Sequence, residues 1–454
     1  MIINKHKIFS FLIFTFLMFH ITFFYPFILR YLNFSIYQGL FIFFVFTIFI
    51  FFFSIYIFYP QKTDLRIPLF FKIKNPFLTI SIIFYFLYEL ILIFSNLYQF
   101  TNASIENYSL KPLFIEIIKF LISFLLLFYV ETKYLIRFIN FYFYFIYLLS
   151  ISGILMTVLI AIDIMHPLFT ITIDTHGFID TGERKFYGLG FGWMNICFQG
   201  FCAPRLQSIA AEAGNFAFPI IIAILWGHIV KRKRFTFLLP LYIALFLTLS
   251  IGAWITILFA YLLLLIKNLL NFKTSFYKKF FFYMFVLSIS VILFIYKYWE
   301  EIQYLIVPLK MYLETKFSSS ASQIGYSSAE ERFDAIKTIF EYYTNGHLIG
   351  LGSDCFKILD ISLAVGWVKS LLTTGFIGWT FYLFSFFILF ILALYKVFFT
   401  KRVKNEKDKI ILFSSLTLIV LTIMAMQRTP IDGTPWNMVF LILFVKSFNN
   451  KIGG

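Results

Sequence analysis

The sequence predicts an all-α polytopic membrane protein with about twelve transmembrane helices, forming one integral membrane domain over residues 1–454. Its composition is 61% hydrophobic and 13% charged, whereas soluble domains are about 45–50% apolar and about 25% charged. Apolar runs long enough to cross a bilayer recur along the whole chain. Basic residues gather in alternate short loops, a pattern that marks the cytoplasmic side of a membrane protein.

The predicted spans follow from the length of about 20 apolar residues that a bilayer requires. They lie near residues 7–29, 36–59, 76–99, 111–130, 138–164, 209–230, 235–250, 252–270, 280–297, 368–396, 410–427 and 435–446. With both termini in the cytoplasm, every basic cluster falls on the cytoplasmic side. The net charge of +16 therefore reflects topology, and we expect a lipid bilayer as partner and no nucleic acid.

Two predicted loops on the outer side are long, at residues 165–208 and 298–367. Long ordered loops on a compact scaffold often have a function, so the candidate site is expected there. The first loop contains Cys197 and Cys202, for which a disulfide and two buried free thiols remain open alternatives. The chain has no CxxC pair, no metal-spaced His/Cys cluster and no phosphate-binding glycine loop. We therefore expect no metal, nucleotide or other cofactor.

The stretch CAPRLQSIAAEAGNFAF at 202–218 places two opposite charges at the mouth of a span. Pro204 suits the first position of a helix. On a helix, Arg205 and Glu212 would share one face about 10 Å apart, with Ser208 nearby. The arrangement predicts an anion site at a helix N-terminus, with Glu212 deeper in the membrane. The alternative is an Arg205 that reaches lipid headgroups and a Glu212 in a structural pair.

The second long loop contains SSAEERFDAIKTIFEYYTNG at 327–346, which predicts an amphipathic helix over 329–344. Ser328 and Glu331 form a capping box, and Gly346 suits the position after the last turn. The predicted polar face holds Asp334, Lys337, Thr338 and Glu341, and the apolar face holds Ala335, Ile336, Ile339, Phe340, Tyr342 and Tyr343. Arg332 falls within the apolar face, where it would meet an anion or a buried carboxylate.

The stretch GHLIGLGSDCF at 346–356 follows that helix. Gly350 and Gly352 predict a tight turn with close backbone approach. His347 and Asp354 flank the turn. His347 suits a general base, although a histidine in a loop is more often a structural hydrogen-bonding residue.

A second pair of charges is predicted inside the membrane. Glu89 lies about 15 Å deep in its span, and Lys119 lies about 12 Å deep in the next one. Adjacent antiparallel helices would bring them together. The pair is interpreted as a structural ion pair, with a proton or ion pathway as the alternative.

Four stretches resemble the O-antigen ligase and polymerase superfamily, over roughly residues 165–395 and in the family's order. They are RLQSIAAEAGNFAF with Arg205, Glu212 and Ala217; LTLSIGAWITI at 247–257; Arg332 through NGHLIGLGSDCF; and LLTTGFIGW at 371–379. Three positions differ from the usual pattern, at Ala213, Ile251 and His347. The ligase members carry a histidine near the positions of Ala364 and Val365. Its absence here favours the polymerase members.

The resemblance implies a GT-C-like polymerase in the bacterial inner membrane, with its active site facing the periplasm. Such an enzyme is a metal-independent glycosyltransferase of O-antigen, capsule or exopolysaccharide biosynthesis. It transfers a glycan repeat from undecaprenyl pyrophosphate to a sugar hydroxyl, sometimes with a chain-length-regulating co-polymerase. The implied pyrophosphate-binding residues are Arg205, Arg332 and Ser208. Glu212, His347 and Asp354 are the candidates for activating the acceptor or orienting an arginine.

Two other functions fit parts of the sequence. The first is an O-antigen ligase that transfers the glycan to lipid A core or to a protein. The second is a transporter of polysaccharide or lipid-linked sugar, a class that places polar sites near the membrane midplane. Most acids and arginines lie in the outer loops here, which favours chemistry at the membrane surface.

Overall fold

The computed structural model describes ten helices and four strands. The residues described are 75–102, 111–129, 132–162, 164, 166, 169–172, 183–187, 191–198, 201–208, 213–270, 330–344, 349–353, 366–399, 403, 405–427 and 435–449. The helices are α1 Pro76–Asn102, α2 Lys111–Tyr129, α3 Thr132–Ala161, α4 Ala213–Ile229, α5 Phe235–Leu247, α6 Ile251–Leu270, α7 Glu330–Thr344, α8 Gly366–Phe399, α9 Glu406–Gln427 and α10 Pro435–Asn449. The strands are β1 Phe169–Thr172, β2 Glu183–Tyr187, β3 Phe191–Phe198 and β4 Phe201–Ser208.

A helical membrane protein is the class that these helices support. Four of them, α1, α3, α8 and α9, are long and apolar enough to cross a bilayer. Nine of the described helices coincide with nine of the predicted spans, and α4, α5, α6 and α10 are shorter apolar helices. The predicted spans 7–29, 36–59 and 280–297 lie outside the described residues.

The centre of the bundle is α4, which is apolar on all sides and packs against α3, α5, α6 and α9. Every residue from Phe216 to Gly227 is buried. A helix without a polar face is stable only where apolar groups surround it completely. The uniform apolarity of α4 therefore accounts for its central position.

The pair α1 and α8 carries the elements of the candidate site. The two helices pack along each other, and Ser81 and Ser385 exchange hydrogen bonds. Each hydroxyl donates to the backbone carbonyl of the other residue, at 3.1 and 2.9 Å. Phe94, Phe384 and Phe387 are exposed on this pair, as expected of side chains that face lipid.

The strands form an antiparallel sheet in the order β1-β2-β3-β4, within the first predicted long loop. The apolar and charge patterns of the sequence predict no strand there. The predicted helix starting at Pro204 is wrong, because Pro204 and Arg205 lie in β4 and α4 begins at Ala213. Pairing with β3 fixes the extended conformation, and proline is tolerated because β4 is an edge strand. The predicted shared helical face of Arg205 and Glu212 therefore does not exist.

Candidate functional site

A break in α8 is the centre of the candidate site. Gly375 has φ 74° and ψ −175° within that helix, a conformation that glycine adopts at low cost and other residues do not. The end of a helix leaves its last four carbonyl groups without partners in the same helix. At this break the carbonyls of the last turn belong to residues 370–374, and those of residues 371–374 must find their hydrogen bonds elsewhere.

Hydroxyl groups satisfy the first of these carbonyls. Thr374 Oγ1 donates to the carbonyl of Ser370 at 2.7 Å. The Tyr343 hydroxyl of α7 lies 2.8 Å from the carbonyl oxygen of Leu371 and 3.1 Å from that of Leu372. A side chain from a different helix therefore completes the broken end of α8.

The segment 349–353 satisfies the remaining carbonyls. It runs antiparallel to the break, with Ile349 opposite Gly375. The N–H of Leu351 donates to the carbonyl of Leu372 at 2.8 Å, and the N–H of Gly352 donates to that of Thr373 at 3.0 Å. The segment 349–353 and α7 together therefore stabilise the break in α8.

Two glycines let the segment approach the break closely. A Cβ atom at Gly350 would lie 2.3 Å from the carbonyl oxygen of Thr373. Gly352 has φ 69°, and a Cβ atom there would lie 3.0 Å from Asn96 Oδ1. Gln99 Nε2 donates to the carbonyl of Gly350 at 3.2 Å. The predicted close backbone approach is confirmed, whereas residues 349–352 pair with the break and do not form the predicted tight turn.

The helix α7 lies on the first part of α8 through the face predicted to be apolar. Ile339 and Tyr343 are buried there together with Leu351. The position of Arg332 lies one helical turn before Ile336 and two turns before Ile339, on the same face. The helix predicted over 329–344 is confirmed as Glu330–Thr344. The contact of the Arg332 side chain stays a prediction.

The opposite face of α7 is exposed at Lys337, Thr338 and Glu341, as predicted. Phe340 was predicted on the apolar face but is exposed. The reason is that α7 contacts the bundle mainly through α8, so its buried stripe is narrower than the wheel suggested. Partial burial raises the pKa of the Tyr342 phenol above its usual value, so this group stays protonated at neutral pH.

A buried polar cluster of Asn96, Glu116, Lys119 and Ser353 lies behind the segment. Asn96 Oδ1 accepts a hydrogen bond from the Ser353 N–H at 3.0 Å. The Ser353 hydroxyl donates to Glu116 Oε1 at 3.3 Å, and Lys119 Nζ lies 2.9 Å from the same oxygen. The cluster fastens the segment 349–353 to α1 and α2.

Glu116 is a residue that the sequence reasoning missed. Lys119 was expected to pair with Glu89, but the ion pair seen is with Glu116 on the same helix. Glu89 is fully buried and accepts a hydrogen bond from the Tyr85 hydroxyl at 2.6 Å. The spacing of three residues between Glu116 and Lys119, within an otherwise apolar helix, is the signal that predicts their pairing.

An apolar groove of about 820 Å³ begins beside the break and runs between α6, α8 and α9. Its walls include Ile255, Phe259, Leu383, Phe384, Phe387 and Ile423. Trp367 and Trp379 line it near the break, with ring centroids 6.2 Å apart. Tryptophan is typical of membrane–water interfaces. Trp379 Nε1 is buried and, among the described residues, has no hydrogen-bond acceptor.

The length of α8 bears on the depth of the break. The residues from 376 to 399 span about 36 Å at about 1.5 Å per residue, which exceeds the hydrocarbon thickness of about 30 Å. The second part of α8 is therefore long enough to cross a bilayer by itself.

The strand β4 holds Arg205 against a different part of the bundle. Leu206 is fully buried, and a Cβ atom at Gly153 of α3 would lie 2.9 Å from its side chain. Beyond the sheet, β4 packs on α3, α4 and α5. Ser208 is the last residue of β4 and pairs with Gly192 of β3. The backbone of Arg205 is therefore fixed to the bundle by its neighbour.

The structure thus brings together two of the predicted site elements, α7 and the segment 349–353. Arg205 and Ser208 share a separate element, β4. Glu212, His347 and Asp354 lie outside the described residues. In the described part of the chain, no group of three or more His, Cys, Asp or Glu side chains lies close enough to hold a metal ion.

Comparison with protein-family models, with curated proteins and with solved structures finds no match to this chain. The conclusions below therefore depend on the geometry and on the sequence motifs.

Proposed function

We propose that this protein is a polymerase of lipid-linked oligosaccharide repeat units. It acts at the outer face of the bacterial inner membrane. It transfers a glycan from undecaprenyl pyrophosphate to a sugar hydroxyl of a second lipid-linked repeat. The observation that carries this proposal is the meeting of a hydrogen-bonded helix break and an apolar groove. The length of the second part of α8 supports a position of the break near one membrane surface.

The two halves of this arrangement suit the two halves of an amphiphilic substrate. The groove below the break offers apolar walls to a polyprenyl chain. The hydrogen bonds at the break fix α7, the helix that carries Arg332, beside this end of the groove. A soluble sugar would leave the groove unused, so the geometry favours a lipid-linked donor.

Two arginines are assigned to the pyrophosphate. Arg332 lies on the face of α7 that contacts α8, and Arg205 lies on β4. Ser208, on the same strand, is assigned as a further pyrophosphate-binding residue. Fixed cations stabilise the negative charge that develops on a departing pyrophosphate. Arginine suits this role because its planar fork binds phosphate oxygens in pairs.

The proposed reaction is one displacement at the anomeric carbon of the donor sugar. The acceptor hydroxyl oxygen forms the new bond to that carbon, while the bond to the pyrophosphate oxygen breaks. The hydroxyl proton passes to a base, for which Glu212, His347 and Asp354 are the candidates. Undecaprenyl pyrophosphate leaves with the bonding electron pair.

A transporter is the main alternative, because transporters use broken helices at their binding sites. Those sites lie near the membrane midplane. The break in α8 lies beyond a segment that is long enough to span the bilayer alone. The depth of the break therefore favours surface chemistry over transport.

The test compares glycan chain lengths in a deletion strain complemented with variants. We expect Arg332→Ala and Arg205→Ala each to reduce chain extension about a hundredfold or more, while both proteins still insert. Lys337→Ala is the matched control for Arg332, because Lys337 is an exposed cation on the same helix. Arg184→Ala, in the same sheet, is the control for Arg205.

The deletion strain also separates the functions. Loss of a polymerase leaves single repeats attached to the acceptor, loss of a ligase leaves none attached, and loss of a transporter leaves repeats on the cytoplasmic side. Normal chain lengths from Arg205→Ala or Arg332→Ala contradict the role assigned to that arginine. Absence of any attached repeat contradicts the polymerase.

A further inference from the structure

A patch of five cations lies at the end of the bundle that the sequence predicts to be cytoplasmic. Its members are Arg137 on α3 and residues Lys231, Arg232, Lys233 and Arg234 between α4 and α5. Arg137, Arg232 and Arg234 are exposed, and Lys231 and Lys233 are partly exposed. In the part of the chain that the structure describes, no carboxylate oxygen lies within 4.0 Å of any of the five.

The five residues lie at the same level of the bundle. Trp226 Nε1 donates to Asn140 Oδ1 at 3.1 Å, which fixes α4 and α3 at the same level. Arg137 lies one helical turn before Asn140. The N–H of Lys231 donates to the carbonyl of Trp226 at 3.1 Å. Both parts of the patch therefore lie within about one turn of a single contact.

The base of the patch is rigid. A Cβ atom at Gly227 would lie 2.6 Å from the side chain of Leu238 and 3.1 Å from that of Phe143, so three helices meet closely there. The rings of Tyr147 and Phe237 stack 4.8 Å apart between α3 and α5. The cations therefore stand on a preorganised platform, which lowers the entropic cost of binding a ligand.

The turn that presents four of the cations is also ordered. The N–H of Lys233 donates to the carbonyl of Gly227 at 2.9 Å. Arg232 has φ 49°, a left-handed conformation that is uncommon for a residue with a side chain. Lys233 Nζ lies 4.6 Å from the centre of the Phe237 ring, which holds that cation at the start of α5.

The surface next to the patch identifies the ligand class. Phe235, Leu239, Ile243 and Phe246 are exposed along one stripe of α5 that begins at the patch. In a membrane helix such a stripe contacts acyl chains. An acidic soluble protein would meet the cations but not this stripe. A phospholipid with an anionic headgroup matches both.

We propose that the cation patch binds the headgroup phosphate of an anionic phospholipid of the cytoplasmic leaflet, with its acyl chains along α5. Basic clusters at that level attract anionic lipid. The site lies on α3–α5, apart from the break in α8, and does not depend on the function proposed above.

The test uses native mass spectrometry of the full-length protein in detergent. The probe is dioleoylphosphatidylglycerol, and the control lipid is dioleoylphosphatidylcholine with the same chains. We expect Arg232→Gln with Arg234→Gln to weaken phosphatidylglycerol binding about 25-fold, from about fivefold for each cation. Phosphatidylcholine binding should not change. Lys407→Gln with Lys409→Gln removes two cations from α9 and should change binding less than about twofold.

Further measurements separate the effect of charge from a loss of folding, and the binding of a lipid from the binding of a free anion. Arg232→Lys with Arg234→Lys should retain most of the affinity, because the charge is kept. Affinity of the unmodified protein for phosphatidylglycerol should fall with rising salt. The proposal is overturned if phosphatidylcholine binds equally well, if both double glutamine variants lose the same affinity, or if inorganic phosphate displaces the lipid at equal concentration.

Discussion

The two arginines assigned to pyrophosphate lie in regions whose conformations are determined in different ways. Arg332 belongs to α7, a helix whose boundaries follow from a capping box and a following glycine. Arg205 belongs to β4, whose conformation depends on pairing with β3. The local signals of α7 are readable in a single sequence. The conformation of β4 is decided by residues that the strand meets only after folding.

The contacts of the two regions also differ in how easily they can adjust to an added atom. The segment 349–353 next to α7 meets the backbone of α8, where Gly350 leaves no room for a side chain. The strand β4 meets α3 through the side chain of Leu206 above Gly153. A backbone cannot move aside at low cost, whereas a leucine side chain can change its rotamer. The first contact is therefore the less tolerant one.

The largest expected effect comes from substituting alanine for Gly350, with the same substitution at Gly153 as the comparison. Gly350→Ala should destabilise the protein by about 3 kcal/mol and stop glycan extension, because its Cβ atom would lie 2.3 Å from a carbonyl oxygen. Gly153→Ala should change stability by less than about 1 kcal/mol, since the gain in helix propensity offsets the displacement of Leu206. Unfolding in mixed detergent micelles measures both. Equal losses would show that the two contacts do not differ as described.

The same difference explains which parts of the fold the sequence could predict. Nine spans and the amphipathic helix follow from apolar run length and capping. The close approach at Gly350 and Gly352 follows from the two glycines. The sheet was missed because Pro204 suits the start of a helix equally well. Gly200, between Phe198 and Phe201, is a turn signal that could have marked the end of β3 and the start of β4.

The candidate site was predictable only where its residues are close in sequence. Arg332 and the glycine segment lie in one predicted loop, and the structure places α7 and that segment on the same part of α8. Glu116 joins the site through Ser353, far along the chain. The break at Gly375 reads in the sequence as the interior of a continuous apolar span. Neither could be found without knowing which helices pack together.

The strand register gives the second prediction, which tests β4 against the expected helix. Cys197 lies opposite Cys202, next to the pair of Phe198 and Phe201 that flanks the two-residue connection. Such a position brings Cα atoms to about 4.5 Å, within the range of a disulfide. Mild oxidation of membranes should therefore cross-link the two cysteines, and Cys197→Ser should then cost about 2 kcal/mol of stability.

Alkylation followed by mass spectrometry counts the free thiols in that experiment. Moving the first cysteine one position, by Cys197→Ala with Ile196→Cys, provides the control, because residue 196 lies opposite Ala203. The shifted pair should stay reduced under the same oxidation. Cross-linking of the shifted pair in preference to the original would contradict the register of β3 and β4.

The third prediction removes one group from the contact between α7 and α8. Tyr343→Phe deletes the hydroxyl that lies 2.8 Å from the Leu371 carbonyl oxygen and leaves that carbonyl without this donor. The loss should be about 1–2 kcal/mol and should reduce glycan extension. Tyr395→Phe is the control, because Tyr395 is an exposed tyrosine of α8, far along that helix from the break, and should change stability by less than about 0.5 kcal/mol. Equal changes in stability in the two variants would show that the Tyr343 hydroxyl does not stabilise the break.

The smallest expected effect separates the two faces of α7. Lys337 Nζ lies 3.8 Å from Glu341 Oε1 on the exposed face. An exposed pair at this spacing contributes only about 0.3–0.5 kcal/mol, so Glu341→Ala should leave stability and glycan length nearly unchanged. Combined with Arg332→Ala, it should add nothing to the loss of chain extension. Arg332→Ala and Glu341→Ala each remove one charge from α7. A loss of chain extension that occurs only with Arg332→Ala would therefore come from the contact face and not from weakening of α7. A large loss of chain extension from Glu341→Ala would instead assign the function to the solvent face of the helix.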